Sequence, residues 1–182
     1  MATRRRVVTG HDAAGAAIVA SDAALEPQTS PGLPGVEMLY LWGADAPVAY
    51  PDSGEQPAWR DHFPPVGGFR FVTFSLPPAG HPVPDDAGSA EALAHANAVF
   101  PGLLDTFADD DPGMHRSDTT DVAIVLSGEV VLELPGGEER TLRAGDTIVQ
   151  NGTSHRWSNR SAERVELLFV LIGAERAAGA AS

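Results

Sequence analysis

The sequence predicts an all-β fold: a two-sheet jelly-roll barrel (double-stranded β-helix) with an N-terminal β-strand arm and one or two short helices. Three observations carry this. Residues 119–173 break into six short runs, TDVAIVL, VVLEL, RTLRAG, DTIVQ, SHRWSN and RVELLFVLIG, divided by turn signals such as SGE, PGGEE and NGT. Period-two alternation and β-branched residues dominate. Only SAEALAHANAV, at 89–99, has a helical pattern. Evenly spaced short strands of this kind suit two facing sheets with an inward cavity between them.

The elements follow in order. RRVVTG (5–10) and AAIVAS (16–21) are read as strands joined through the turn-prone HDAAG, and VEMLYLW (36–42) follows the loop PQTSPGLPG. The stretch 46–68 is rich in Pro, Gly and Asp and is expected to be a long irregular connection. FRFVTFSL (69–76) is a strand stopped by Pro77 and Pro78. The helix has Ser89 as its N-cap and Pro101 beyond its end. The terminal AERAAGAAS is expected to fray. The chain is thus read as one domain over 1–182, with strands and an irregular loop arm at 1–68 and the barrel at 69–173, including a helical insertion near 89–104.

Bulk composition narrows the function. A length of 182 residues, 43% hydrophobic and 20% charged, suits one well-packed domain. The net charge of −13 sets 25 acidic residues against 12 basic ones, all of them Arg, and such a surface repels phosphate backbones. No nucleic-acid partner is therefore expected, and Arg4, Arg5 and Arg6 are read as a solvated strand edge. The run VELLFVLIG is too short to cross a bilayer, so no membrane partner is expected. MATRRRVVTG lacks a following apolar segment, which reads as cytoplasmic. The absence of Cys excludes disulfides and thiolate metal sites.

The chemistry gathers in GMHRSDTTDVAIVLSG, residues 113–128. His115, Ser117 and Asp121 share odd parity, so in an extended segment their side chains point the same way. Buried charge is costly unless paired or metal-bound, so an inward His and Asp call for a purpose.

These residues resemble the cupin family, whose motifs read G-x5-H-x-H-x3/4-E-x6-G and G-x5-P-x-G-x2-H-x3-N. Here the first runs His115-Arg116-Ser117, three residues, Asp121, six residues, Gly128. The second runs Gly145, five residues, Asn151, Gly152, two residues, His155, three residues, Asn159. The chain further resembles single-domain bacterial cupin-domain proteins of the cupin 2 conserved-barrel type, with their MHR(S/T)-x-T-x-D and GD-x-VVQ-x-GT-x-H-x-W signatures. Three departures stand out: Asp109 replaces the leading Gly, Asn151-Gly152 shortens the second motif's turn, and Ser117 and Asp121 replace a His and the Glu.

The resemblance implies a site made of His115, Asp121 and His155. Two imidazoles and one carboxylate have the composition of a facial triad for a divalent ion, Fe, Mn, Ni, Co or Zn, with Ser117 beside an open position. The shorter Asp must be compensated by a shift of strand or ion. The bland alternatives are a His–Asp hydrogen bond that fixes a tautomer, a structural remnant, or metal-free proton transfer, which cupin-like epimerases are known to use.

Other residues are weighed lower. Trp157 shares the parity of His155 and is a candidate pocket wall, as are Tyr40 and Trp42 on an early strand, although core filling is the default reading of each. Ile124, Val122 and Leu132 are expected to supply apolar lining. Arg70 and Arg116 are expected to face solvent, and His11, His62, His81 and His95 to be surface histidines. Asp109, Asp110 and Asp111 are read as a solvated loop. The expected function is a metal-dependent enzyme acting on a small, partly apolar organic molecule, with oxygenase, lyase or decarboxylase, and isomerase chemistry open. The alternative is a small-ligand binding module without turnover. A homodimer is expected, because the strands bearing Val7, Val8, Ile18 and Val19 supply more edge than a small barrel needs.

Overall fold

The computed structural model describes residues 3–111 and 113–177. Most of the expected C-terminal fraying falls at 178–182, outside the described residues. Strands β1 (Arg4–His11) and β2 (Ala17–Leu25) form an antiparallel hairpin that stands as its own two-stranded sheet. Asp12 shapes the turn by accepting from the Ala14 and Ala16 amides at 2.8 and 2.9 Å. Of the three arginines read as a solvated edge, Arg5 pairs with Asp22 on the hairpin itself. Arg4 instead pairs with Glu166, and Arg6 donates to the Leu41 carbonyl at 2.9 Å with its guanidinium over Trp42. Two of the three therefore fasten the hairpin to the barrel.

The barrel comprises β3 (Gln28–Ser30), β4 (Leu33–Ala44), β5 (Phe69–Leu76), β6 (Thr119–Ser127), β7 (Glu129–Glu133), β8 (Glu139–Arg143), β9 (Thr147–Asn151), β10 (Arg156–Ser158) and β11 (Val165–Gly173). Its two sheets have the orders β3-β4-β5-β11-β6-β9 and β10-β7-β8, so the all-β, two-sheet expectation holds. Alternation makes the core. Val165, Leu167, Phe169 and Leu171 of β11 are buried beside Ala123 and Val125 of β6, and Val130 of β7 joins the same cluster. Each such side chain contributes about 1.5–3 kcal/mol when withdrawn from water. Gly128 makes the β6–β7 turn at φ +75°, a conformation that strains any side-chain-bearing residue.

Strand β4 pairs with β5 from Glu37↔Ser75 to Ala44↔Phe69, so residues 33–44 belong to the barrel sheet and only the β1–β2 hairpin stands apart as an arm. The two short helices are α1 (Ala90–Val99), whose N-cap Ser89 accepts from the Ala92 amide as expected, and one turn of 3-10 helix at Leu104–Thr106.

Arg70 corrects the sequence reading. It is fully buried rather than solvent-facing. Its guanidinium donates to the carbonyls of Ala44 and Phe69 at 2.9 Å each and of Asp61 at 2.8 and 3.1 Å, pairs with Asp45 at 2.5 Å, and lies over the Trp59 ring. The loop after β4 folds back to supply the acceptors that water would otherwise supply. Gly43 opposite leaves the room, since a Cβ there would meet Arg70 Cδ at 2.9 Å.

Candidate active site

The two motif histidines meet through the backbone. His115 and His155 form an antiparallel bridge in which each amide donates to the other's carbonyl at 2.9 Å, and their ring centroids lie 4.2 Å apart. His115 Nδ1 lies 3.0 Å from the Gly113 carbonyl, and His155 Nδ1 lies 2.9 Å from the Thr153 carbonyl. A carbonyl only accepts, so both rings carry their proton on Nδ1 and keep a lone pair on Nε2. Burial lowers the pKa of both rings; His155 reaches about 4, with the neighbouring His115 adding to the effect. Both are neutral at pH 7.

Asp121 stands on β6 in register with Leu171 on one side and Gln150 on the other. Of the three residues of shared parity, Ser117 and Asp121 are both buried, as is Thr119 between them, and the Ser117 and Thr119 hydroxyls lie 2.7 Å apart. Burial pushes the Asp121 carboxyl up to about 6, against a smaller opposing effect of the Thr119 hydroxyl. Its Oδ1 is buried without a hydrogen-bond partner. A carboxylate oxygen left bare is among the least stable groups in an apolar interior.

His115, His155 and Asp121 all line one cavity of about 220 Å³ between the sheets. Trp157 lines it too, edge-on to both His155 and Phe169. Phe107 closes on His115 at 5.4 Å. Among the described residues no Arg lines the cavity, and its remaining walls are almost wholly apolar.

Six expected pocket residues fall elsewhere. Ser117 sits behind Thr119 and is not on the wall. Ile124 is three positions from Asp121, an odd offset that turns it to the other face of β6, where Val122 is 42% exposed. Leu132 packs in the core. A register shift in β4 separates Tyr40 from Trp42, and Trp42 turns to carry Arg6. Tyr40 stands one layer back, with its hydroxyl 2.6 Å from His62 Nδ1.

His62 is a cavity residue that the sequence reading missed. Far from being a surface histidine, it is 7% exposed and lines the cavity, with its amide bonded to the Pro101 carbonyl at 2.7 Å. Burial, helped by the nearby His115 and the Arg70 charge, lowers its pKa to about 3. His81 and His95 are exposed, as expected.

A metal ion would find two suitable donors here, since anchored Nδ1 atoms leave paired Nε2 lone pairs. Among the described residues, however, no three His, Asp or Glu side chains are grouped to hold a metal ion. Of the expected set, His115 and His155 stand together, and no third ligand is grouped with them among the described residues.

Residues 108–171 match the family model described as "Cupin domain". The chain is 32% identical over 105 residues to "Oryzines biosynthesis cluster protein J" of Aspergillus oryzae, covering 53% of this chain and 59% of that protein. It is 33% identical over 87 residues to "Cupin-domain-containing oxidoreductase srdB" of Neurospora crassa, covering 47% and 44%. The chain therefore spans about half the length of these curated relatives. Both are fungal, so the bacterial part of the resemblance finds no support in them. Among solved structures, the polyketide cyclase RemF from Streptomyces resistomycificus is 16% identical over 81% of this chain and 72% of its own, with a TM-score of 0.45. The match at residues 108–171 is to a cupin domain model, and the strand orders show an all-β, two-sheet jelly roll.

Proposed function

We propose that the chain is an enzyme that relocates a proton on a small, largely apolar organic molecule held between the sheets. The observation that carries this is the buried carboxyl of Asp121, whose Oδ1 has no hydrogen-bond partner, on a residue that lines a cavity shared with two neutral imidazoles. The directions of the two shifts assign the roles. Burial raises the Asp121 carboxyl and lowers the His155 ring, so a proton in the cavity rests on the carboxyl rather than on that imidazole. Asp121 is then the proton carrier, and the Nε2 atoms of His115 and His155 accept hydrogen bonds from the substrate. Apolar walls keep water from competing for the carboxylate. The test is hydrogen exchange from D2O into a panel of small apolar molecules, followed by mass spectrometry. Catalysed exchange that vanishes in Asp121→Asn is expected, and no exchange across the panel, or full exchange in that variant, overturns the reading.

A second reading, metal-dependent oxidation or lysis with Fe, Mn, Ni, Co or Zn, draws support from the paired Nε2 lone pairs and from relatives named as oxidoreductases. Elemental analysis of protein purified without chelators tests it: a stoichiometric ion that is lost in His155→Ala is its expected result, and a metal-free protein that is active ends it.

We further propose that the protein pairs with a second copy through the β1–β2 sheet. A lone two-stranded sheet is marginal in water, and Val7, Ile18 and Val19 are 51%, 39% and 64% exposed on this one. Light scattering is expected to report a dimer that Val19→Asp dissociates; a monomer at micromolar concentration overturns the proposal.

A further inference from the structure

We propose that His62 is the hydrogen-bond donor of the cavity, presenting Nε2–H to the carbonyl oxygen of a neutral, flat, largely apolar substrate. This rests on the proton-relocation reading and adds to it the substrate class and a third functional side chain.

The tautomer follows from the Tyr40 contact. The Tyr40 hydroxyl is part-buried and has His62 Nδ1, at 2.6 Å, as its hydrogen-bond partner. Were Nδ1 the donor, the phenol proton would be left without an acceptor in the protein, a loss of about 1–3 kcal/mol where water does not replace it. The phenol therefore donates, Nδ1 accepts, and the ring proton resides on Nε2. His115 and His155 hold the opposite tautomer, because their Nδ1 atoms face carbonyls. The cavity thus offers two accepting imidazoles and one donating imidazole, all neutral. The strongly lowered pKa of His62 agrees with a donor that stays uncharged across the working pH range.

The rest of the wall fixes the class of molecule. The Arg70 guanidinium, which could bind an anion, is already filled by three backbone carbonyls and Asp45 and does not line the cavity. An anionic substrate would meet Asp121 with no compensating cation, so the substrate is neutral. Trp157, Phe169, Phe74 and Phe107 form the walls with tilted or edge-on rings, which suits a flat unsaturated body. The step balances without a co-reactant. Asp121 takes a proton from the carbon beside the carbonyl, the C–H electron pair becomes the new C=C bond, and the former C=O π pair settles on the oxygen held by His62 Nε2–H. The carboxyl exchanges its proton with solvent, and delivery of a proton from it to the carbon collapses the enolate to the ketone and regenerates the carboxylate.

Long-range 1H–15N correlation on the full-length labelled protein is expected to show His62 protonated at Nε2 and His115 and His155 at Nδ1. Protonation of His62 at Nδ1 overturns the proposal. The binding probes are 1-tetralone, tetralin and 1-naphthoate. In His62→Phe the ketone is expected to bind about tenfold more weakly while tetralin changes by less than about twofold, a loss matching one hydrogen bond. The infrared carbonyl stretch of bound ketone is expected to rise towards its free value in the same variant. Should His62→Phe not fold, Tyr40→Phe, which keeps the imidazole but unpins its tautomer, is expected to lower the preference for ketone over tetralin. Equal losses for both probes, or naphthoate binding as tightly as the ketone, overturn the proposal. Asp121→Asn separates the two ideas, since it abolishes exchange at the ketone's α-carbon yet leaves the proton of His62 on Nε2. Ketone bound by His62 without exchange in the wild type sinks proton relocation alone.

Discussion

His115 and His155 exchange backbone hydrogen bonds at 2.9 Å in both directions, and this bridge brings two neutral imidazoles 4.2 Å apart on the cavity wall. Replacing either ring removes one of the pair's two acceptors while leaving the bridge itself in place. His155→Ala is expected to lower turnover by about a hundredfold or more, the scale of lost positioning and acid–base assistance. Circular dichroism should be unchanged. Turnover retained in that variant would remove His155 from the site.

Asp121 ties stability to pH in an unusual direction. Its carboxyl is raised from 3.8 to about 6, so the folded protein holds the proton more tightly than the unfolded chain. The stability this group contributes is complete below about pH 4 and is lost as pH rises through about 6. Asp121→Asn should then be more stable than the wild type by about 1–3 kcal/mol at pH 7, with the advantage gone at pH 4. Urea titrations at the two pH values check this. Lower stability of the variant at pH 7 would contradict the buried, unpaired carboxylate.

The histidines work the other way. His155 is lowered to about 4 and His62 to about 3, both chiefly by burial. Their contribution is present above about pH 6.5 and is lost as pH falls towards those values, because the unfolded chain takes up protons that the folded one refuses. Stability is expected to fall steeply between about pH 6 and 4, and His62→Phe should flatten that slope by close to one proton. An unchanged slope would place His62 in water.

Turnover should carry the signature of the carboxyl. With Asp121 as base, kcat/KM is expected to rise as one proton is lost near pH 6 and then to level off. A pH–rate profile on any exchanging ketone measures it. A rise centred near 4 would mean that an ordinary exposed carboxylate is responsible.

Arg70 is a structural keystone. Arg70→Leu would strand the carbonyls of Ala44, Phe69 and Asp61 and leave Asp45 without its partner. A loss of about 3–5 kcal/mol is expected, as for breaking other buried charge pairs. Denaturant melts would show it, and a loss below about 1 kcal/mol would mean that water replaces the guanidinium.

The motif half of the site was legible because its logic is local. Parity aligned Ser117 with Asp121, and the resemblance to the cupin motifs implied that His115 and His155 converge, as their bridge shows. The same parity excludes Ile124 from the wall, three residues from Asp121, so that error lay in the reading and not in the sequence. His62 and Arg70 were different. Both are governed by how residues 45–68 fold back onto β4 and β5, through contacts such as Tyr40 to His62 and Asp61 to Arg70 that no local periodicity encodes. Flanking Phe69 and Phe71 made Arg70 look outward; buried acceptors made the inward position tolerable. The fold itself was well announced by its turns, while the share of β4 in the barrel depended on long-range pairing.

His62 lies outside the segment that matches the family model, whereas the bridge and the carboxyl lie within it. Under the proposed function, the proton carrier therefore lies in the matched stretch and the hydrogen-bond donor in the loop upstream, so a substitution in that loop alters what is held without touching the carboxyl.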